Sequence, residues 1–271
     1  MCFRRKNPDT NVEQRSINAR APVFEETRTP FSKPDQAFLS LVSTMGEHAQ
    51  KGELRELEIS AEQALTIAKC ERWYRMQTII YTVLGMSYLH KQKFSHAVNV
   101  FRKSSSAALL AKASGDPLGA KIELEALFAE ASALFAGAQY REAADAYVSL
   151  VAHTVALGCP LHTMEAWMMA AYCQEIRGNL GVAATYNRMA LDTAEKIPSR
   201  KRPREIIANI GESLLRLIDT AVELKRDQAM PERTEVCRRM ERLLGPTWRR
   251  QCIPVDRFFG MTARFIKSDV E

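Results

Sequence analysis

Residues 79–104 read IIYTVLGMSYLHKQKFSHAVNVFRKS. Ile79, Tyr81, Leu84, Gly85 and Tyr88 recur at helical spacing, a polar joint follows from His90 to Lys93, and Phe94, Ala97, Phe101 and Ser104 resume the period. The stretch therefore reads as two short amphipathic helices joined by a turn. Each apolar face is too narrow for so short a helix to stand alone. Each must bury that face against the other helix and against a neighbouring pair.

Outward from this pair the same punctuation continues. Asp35 is an acceptable cap for a first helix to Gln50, with Phe38, Leu39, Leu41 and Val42 on its apolar side. A second helix carries Leu54, Leu57, Ala61, Ala64, Leu65 and Ala68. The quoted pair is then expected as Glu71 to His90 and Lys93 to Lys112, closed by Gly115, Asp116 and Pro117. Pro117 is expected in the first turn of a fifth helix ending at Ala136. A sixth carries Tyr140, Ala143, Tyr147 and Leu150; a seventh runs from Leu161 to Arg177; an eighth carries Leu180, Ala183, Tyr186, Ala190 and Ala194 before Pro198. A basic hinge, Ser199 to Arg204, leads to a long ninth helix, Glu205 to Arg226, and Pro231 opens a tenth through Leu244. Trp248, Ile253, Phe258, Phe259, Met261 and Phe265 make residues 247–271 too apolar for a free tail, so they are expected to dock as a short helix on the last pair. Runs of alternating Val, Ile and Thr of the strand type are absent. The class is all-α.

The pairs align on their alanines. Tyr88, Phe94, Ala97 and Phe101 match Leu134, Tyr140, Ala143 and Tyr147, and then Gln174, Leu180, Ala183 and Asn187; Leu54, Leu57, Ala61 and Ala64 fit more loosely. Successive units are offset by 40, 46 and 40 residues. Large groups at fixed spacing fill the gap between helices, and a small one sits where the paired helices cross.

This pattern resembles the tetratricopeptide repeats. That motif has a bulky residue, Leu-Gly, Tyr, an aromatic, Ala, an aromatic and a small residue; here Tyr81, Leu84, Gly85, Tyr88, Phe94, Ala97, Phe101 and Ser104 stand in those places. A later copy has Trp167 in the bulky slot, Ala171 for the glycine, and Ala183 and Ala190 as small positions. The resemblance spans about residues 38–198, with units longer than the usual ~34 residues and a complete motif in one copy. It implies a right-handed αα-superhelix of antiparallel hairpins over residues 35–198. Residues 1–34 are then a disordered or loosely docked basic tail, in which Val23 and Phe24 offer an anchor. Residues 199–271 are a basic helical cap packed on the repeats.

In that family the first helix of each pair lines the inner, concave surface. Carried over, the resemblance puts Ile79, Thr82, Met86 and Leu89, then Glu125, Phe128, Ser132 and Phe135, then Glu165, Met168, Tyr172 and Glu175 on the inner side. It implies an apolar, aromatic groove with acidic spots, in which Met86, Phe128, Phe135, Met168 and Tyr172 bury partner apolar groups and Glu125, Glu165 and Glu175 steer them. The competing expectation is that these residues pack against the N-terminal tail or the C-terminal helices. Some members clamp a partner's terminal carboxylate with Lys, Arg and Asn. The matching positions here, Val42, Gly46, Thr82, Met86, Phe128 and Ser132, supply none of these.

Net charge is +6, unevenly spread: +3 over residues 1–34, −2 over 35–198 and +5 over 199–271. Basic ends can meet nucleic acid, an anionic surface or an acidic protein. The run Ser199 to Arg204, with Arg238, Arg239, Arg242, Arg249 and Arg250, makes nucleic-acid contact the first alternative function, although only Trp248 is near to stack on a base. An enzyme with an unrecognised Cys/His site is the second. The six cysteines are scattered and read as reduced thiols. Cys159, His162 and Cys173 approach a metal cluster but lack a fourth ligand. There is no phosphate loop, His-Glu-x-x-His or nucleophile elbow. Met1 to Lys6 is basic but no apolar run follows, so neither a secretory leader nor a membrane span is expected. The expectation is thus a cytoplasmic, non-enzymatic adaptor, scaffold or chaperone without cofactor or metal. Its expected partner is a protein or peptide, with self-association as a further option.

Overall fold

Each of the first seven joints between helices holds one residue in the left-handed backbone. The computed structural model describes residues 36–223 and 229–252, with side chains to 220 and from 232 onward. Ten α-helices lie in these residues: α1 (Gln36–Lys51), α2 (Leu54–Cys70), α3 (Tyr74–His90), α4 (Phe94–Ala113), α5 (Gly119–Ala136), α6 (Tyr140–Ala156), α7 (Pro160–Ile176), α8 (Leu180–Lys196), α9 (Arg204–Glu223) and α10 (Ala229–Leu244). Six of the seven joints from α1 to α8 repeat one geometry. A residue with positive φ ends the helix: Gly52, Arg72, Gln92, Ala138, Gly158 or Gly178. The N–H of the next residue then returns to a carbonyl five positions back, as in Lys93 to Tyr88, Gln139 to Leu134 and Asn179 to Gln174, each at 2.9 Å. This is the Schellman closure, which satisfies carbonyls that the helix end would leave bare.

The α4–α5 joint differs and explains the uneven repeat. Here Gly115 takes the positive φ, and Pro117 and Leu118 are inserted before α5. Pro117 therefore precedes the helix rather than opening it. The Asp116 carboxylate accepts the Leu118 N–H at 2.9 Å, and the Asp116 carbonyl accepts the Gly119 N–H at 2.8 Å, so the turn is complete before the first helical residue. Two more residues in this turn, three more in α4 and one more in α5, compared with the joints and helices of 17 residues around them, account for the six-residue excess of the middle offset. Arg75, from the first turn of α3, donates to both Asp116 oxygens and pins the enlarged turn to the hairpin before it. Glu123, buried at the start of α5, is held by Lys112 at 2.7 Å.

The alanines do what their spacing requires. Ala97, Ala143 and Ala183 have no solvent exposure, and Phe101 and Tyr147 are buried beside them. At Gly85 a Cβ would lie 2.7 Å from the Phe101 ring, so the helix crossing needs the bare backbone there. Consecutive helices pack pairwise along the chain, and α3 also touches α1 and α5 directly. No comparably extensive contact joins α2 to α4 or α4 to α6 among the described residues. Over the first three hairpins the odd-numbered helices are thus drawn together and the even-numbered ones splayed, which makes the odd-numbered side the inner one.

Beyond residue 198, α9 buries Ile206, Ile207, Ile210, Leu214, Leu217 and Ile218, packs on α8 and pairs with α10. The last two helices continue the series as a fifth hairpin. Trp248 begins a short 3-10 turn, Trp248–Gln251, and is buried against α9 and α10. The expectations for residues 1–34 and for Ile253, Phe258, Phe259, Met261 and Phe265 lie outside the described residues.

Candidate functional site on the inner wall

The inner wall is built from the solvent-facing stripes of α1, α3, α5 and α7. On α3 the stripe is Ile79, Val83 and Met86: Ile79 is 40% exposed, while Val83 and Met86 are half-buried and packed on the core. Leu39 of α1, 46% exposed, extends the apolar surface toward the first hairpin. Thr82 shares its hydroxyl with Ser104 of α4 at 3.0 Å and is spent on the helix crossing.

On α5 the aromatics are tied into the stack. Phe128 lies 6.3 Å from the Tyr147 ring and 5.8 Å from the His162 ring, so it bridges α5, α6 and α7. Phe135 lies 5.4 Å from Tyr140 and 5.6 Å from Tyr172. Both keep partial exposure, as does Tyr172. Burial, and secondarily the Glu175 carboxylate, push the Tyr172 phenol above its ordinary value of 10.0. Ser132 and Tyr147 share a hydrogen bond of 3.1 Å beneath this surface. Glu125 stays partly exposed beside Lys121, 4.0 Å away.

On α7 the structure departs from the sequence reading. Glu165 and Met168 are only 8% exposed and belong to the interior, not to an open groove. The physical reason is legible in the helix itself: PLHTMEAWMMAAYCQEI is apolar around most of its circumference, and such a helix is covered over most of its sides. Glu175 is already engaged. Arg216 of α9 reaches it at 2.7 Å and the Ser213 hydroxyl donates to it at 3.2 Å, while Asn187 of α8 donates to Ser213 at 3.1 Å. The competing expectation, that inner residues serve the C-terminal helices, thus describes Glu175. Met86, Glu125, Phe128, Phe135 and Tyr172 remain at the surface.

Part of the basic set of the C-terminal region is paired within the chain, while Arg200, Lys201, Arg249 and Arg250 are exposed. Arg239 clamps Asp192 at 2.7 Å and Glu195 at 2.8 Å, joining α10 to α8. Arg204 donates to the Leu244 carbonyl at 2.8 Å and Arg202 to the Ile197 carbonyl at 2.9 Å. Arg238 and Arg242 both pair with Glu235. Of the Cys/His candidates, Cys173 is fully buried and desolvation pushes its thiol up to about 12, so it stays protonated at neutral pH. His162 is stacked on Phe128. Among the described residues no three His, Cys, Asp or Glu side chains gather as a metal site, and no helix is long and apolar enough to cross a membrane.

No protein family and no curated protein sequence matches the chain. Solved structures do. The crystal structure of BtubC (BKLC) from P. vanneervenii is similar with a TM-score of 0.54 at 12% identity, over 73% of this chain and 78% of that one. A putative kinesin light chain from Podospora anserina, with nearly identical TPR-like repeats, gives 0.49 at 17% identity over 76% and 94%. The second score is too low to carry weight. The first is a likeness of fold, and with the consecutive helical hairpins it gives the chain a TPR-like all-α superhelical fold.

Proposed function

We propose that this chain is a non-catalytic adaptor or scaffold that holds a protein or peptide partner on the inner wall of its first three hairpins. The observation that carries the reading is the row Leu39, Ile79, Met86 and Phe128: large apolar groups that keep exposure on helices anchored to the core by other residues. Apolar side chains that remain at a surface along one wall of a helical stack suit a partner's apolar residues. The Met86 thioether adapts to more than one shape. Glu125 gives the wall a negative edge that favours a partner with some basic character. The internal pairing of Arg202, Arg204, Arg238, Arg239 and Arg242 disfavours the nucleic-acid alternative, and the protonated, buried Cys173 disfavours a thiol enzyme. A cytoplasmic setting fits the free thiols.

A photo-crosslinking residue at Met86, compared with one at Ile59 on the outer side of α2, tests the wall in the native cell. The same partner band should form from position 86, be absent from position 59, and disappear in the Ile79→Asp variant. A band that forms equally from position 59, or survives Ile79→Asp in a folded chain, would overturn the assignment.

A further inference from the structure

The splay of the even-numbered helices leaves a cleft of about 380 Å³ on the side of α3 opposite the inner wall. Its floor is Tyr81, Leu84 and Tyr88 of α3, and its walls are one face of α2 and one face of α4. Tyr81, Leu84 and Tyr88 fall on the far side of α3 from Ile79 and Met86, at about 100° per residue. The two surfaces are therefore independent.

The cleft is charged at both ends, with opposite signs. The Tyr88 hydroxyl donates to Glu58 at 2.8 Å and the His96 ring lies 5.4 Å from the Tyr88 ring, which fixes one end. Glu62 follows Glu58 along α2. Lys69 of α2 and Lys103 of α4 lie toward the other end, because both helices run the same way, antiparallel to α3. Glu62, Lys69 and Lys103 are exposed and have no hydrogen-bond or ion-pair partner among the described side chains. This contrasts with the paired charges at the α4–α5 turn and around α10. Glu62 and Lys69 are seven residues apart, so their attachment points stand about 10 Å apart along the helix axis. An extended chain covers that distance in about three residues. A free amino acid is too short to reach both ends, whereas a short extended peptide spans them. The carboxylates at one end oppose a phosphate backbone or an anionic membrane surface.

We propose that the α2–α4 cleft is a second binding site, taking a short extended peptide that carries a basic and an acidic side chain three residues apart, with apolar residues between them on Tyr81, Leu84 and Tyr88. The basic group meets Glu62 on the α2 wall, and the acidic group, on the opposite face of the extended chain, meets Lys103 on the α4 wall, with Lys69 adding to the positive end. This holds whether or not the inner wall binds a partner.

The test uses the full chain, isotope-labelled for amide NMR, and two blocked tetrapeptides, acetyl-Lys-Val-Phe-Glu-amide and acetyl-Glu-Val-Phe-Lys-amide, since the direction of the bound chain is open. One of the two should produce saturable shifts confined to α2, α3 and α4. Its affinity should fall at least tenfold in Glu62→Lys and in Lys69→Glu/Lys103→Glu. The triple charge-reversed protein should prefer the other peptide, a readout that loss of fold cannot imitate because binding is regained. The inference is overturned by any of three results: no saturable shift at millimolar peptide, shifts mapping to the inner stripe of α3 and α5, or an unchanged preference after charge reversal. Concentration-dependent association of the peptide-free protein through these same amides would likewise overturn it, because a second copy would then be the occupant.

Discussion

Gly46 and Gly85 both lie inside helices, and replacing each by alanine should move stability in opposite directions. Taken alone, Gly→Ala in a helix interior stabilises by about 1 kcal/mol, because alanine loses less backbone freedom on folding. At Gly46 nothing lies within 4 Å of an added Cβ, so that gain should appear undiminished. At Gly85 the same atom falls 2.7 Å from Cε1 and Cζ of Phe101 and 3.0 Å from Cδ1. Ordinary carbon contacts lie at about 3.5–4.0 Å, so the ring must retreat by roughly 1 Å. Phe101 has no exposed surface and is packed on every side, and overpacking of such a core costs about 1–3 kcal/mol. The propensity gain is common to both sites and cancels. The difference between the two variants is then the crowding cost alone, about 1–3 kcal/mol, with Gly46→Ala above the parent and Gly85→Ala at or below it. Urea unfolding followed by circular dichroism measures both, read as midpoint shifts at constant slope. Adding Phe101→Leu to Gly85→Ala should return part of the loss, giving a coupling of opposite sign to the two single changes. Equal stabilisation by both alanines, or no coupling with Phe101, would refute the argument that the Leu84-Gly85 pair exists to admit the aromatic of the next helix.

Two further outcomes follow from the enlarged α4–α5 joint. Gly119→Ala puts a Cβ 2.4 Å from the Lys112 Cα and 2.6 Å from its nitrogen; backbone cannot swing aside as a ring can, so the loss should reach or exceed about 3 kcal/mol in the same urea assay. Asp116→Asn should cost about 2 kcal/mol at neutral pH by breaking a charge-assisted pair. Arg75 holds the Asp116 carboxyl below its ordinary 3.8, so its contribution is complete above that value and is lost as the pH falls through the lower folded value; the stability gap between parent and variant, measured by thermal melts from pH 7 downward, should therefore close only in acid.

Much of this architecture is written locally. The alanines at 97, 143 and 183 and the breaks at Gly52, Gly115, Gly158 and Gly178 place the helices and their crossings, because a small group and a positive φ each leave a mark in a single residue type. Other joints leave no such mark. Arg72, Gln92 and Ala138 adopt the left-handed backbone without being glycine, since the Schellman bonds and the packing on either side over-determine the turn. Pro117 suggests a helix start two residues early because the turn it occupies is set by Asp116 and by Arg75, 41 residues away. The candidate site was half legible. Transfer of inner positions from a repeat motif names Ile79, Met86, Phe128 and Phe135, which keep some exposure, yet it treats every hairpin as equivalent. The all-round apolarity of α7 was the available signal that Glu165 and Met168 would be covered. The capture of Glu175 by Arg216 had no local signal at all.

That inequivalence bears on where a partner can sit. In a stack, each hairpin is stabilised by its neighbours, and the last one needs some other source of fixation. Here the fifth hairpin is fixed by charge as well as by the α9 isoleucines: Arg216 to Glu175, Arg239 to Asp192 and Glu195, Arg188 to Glu232. The pairs of Arg216 and Arg239 draw on acidic groups that α7 and α8 would otherwise offer at their surfaces, and Arg188 of α8 is met in return by Glu232 of α10. The wall at the C-terminal end is consequently satisfied from within, whereas α1 and α3 hold Leu39 and Ile79 in solvent with no helix of the stack over them among the described residues. A partner gains most where apolar area is still exposed and no internal pair must first be broken. The partner site proposed above is therefore placed on the first three hairpins, and Glu175 of α7 acts as a fixation point of the scaffold.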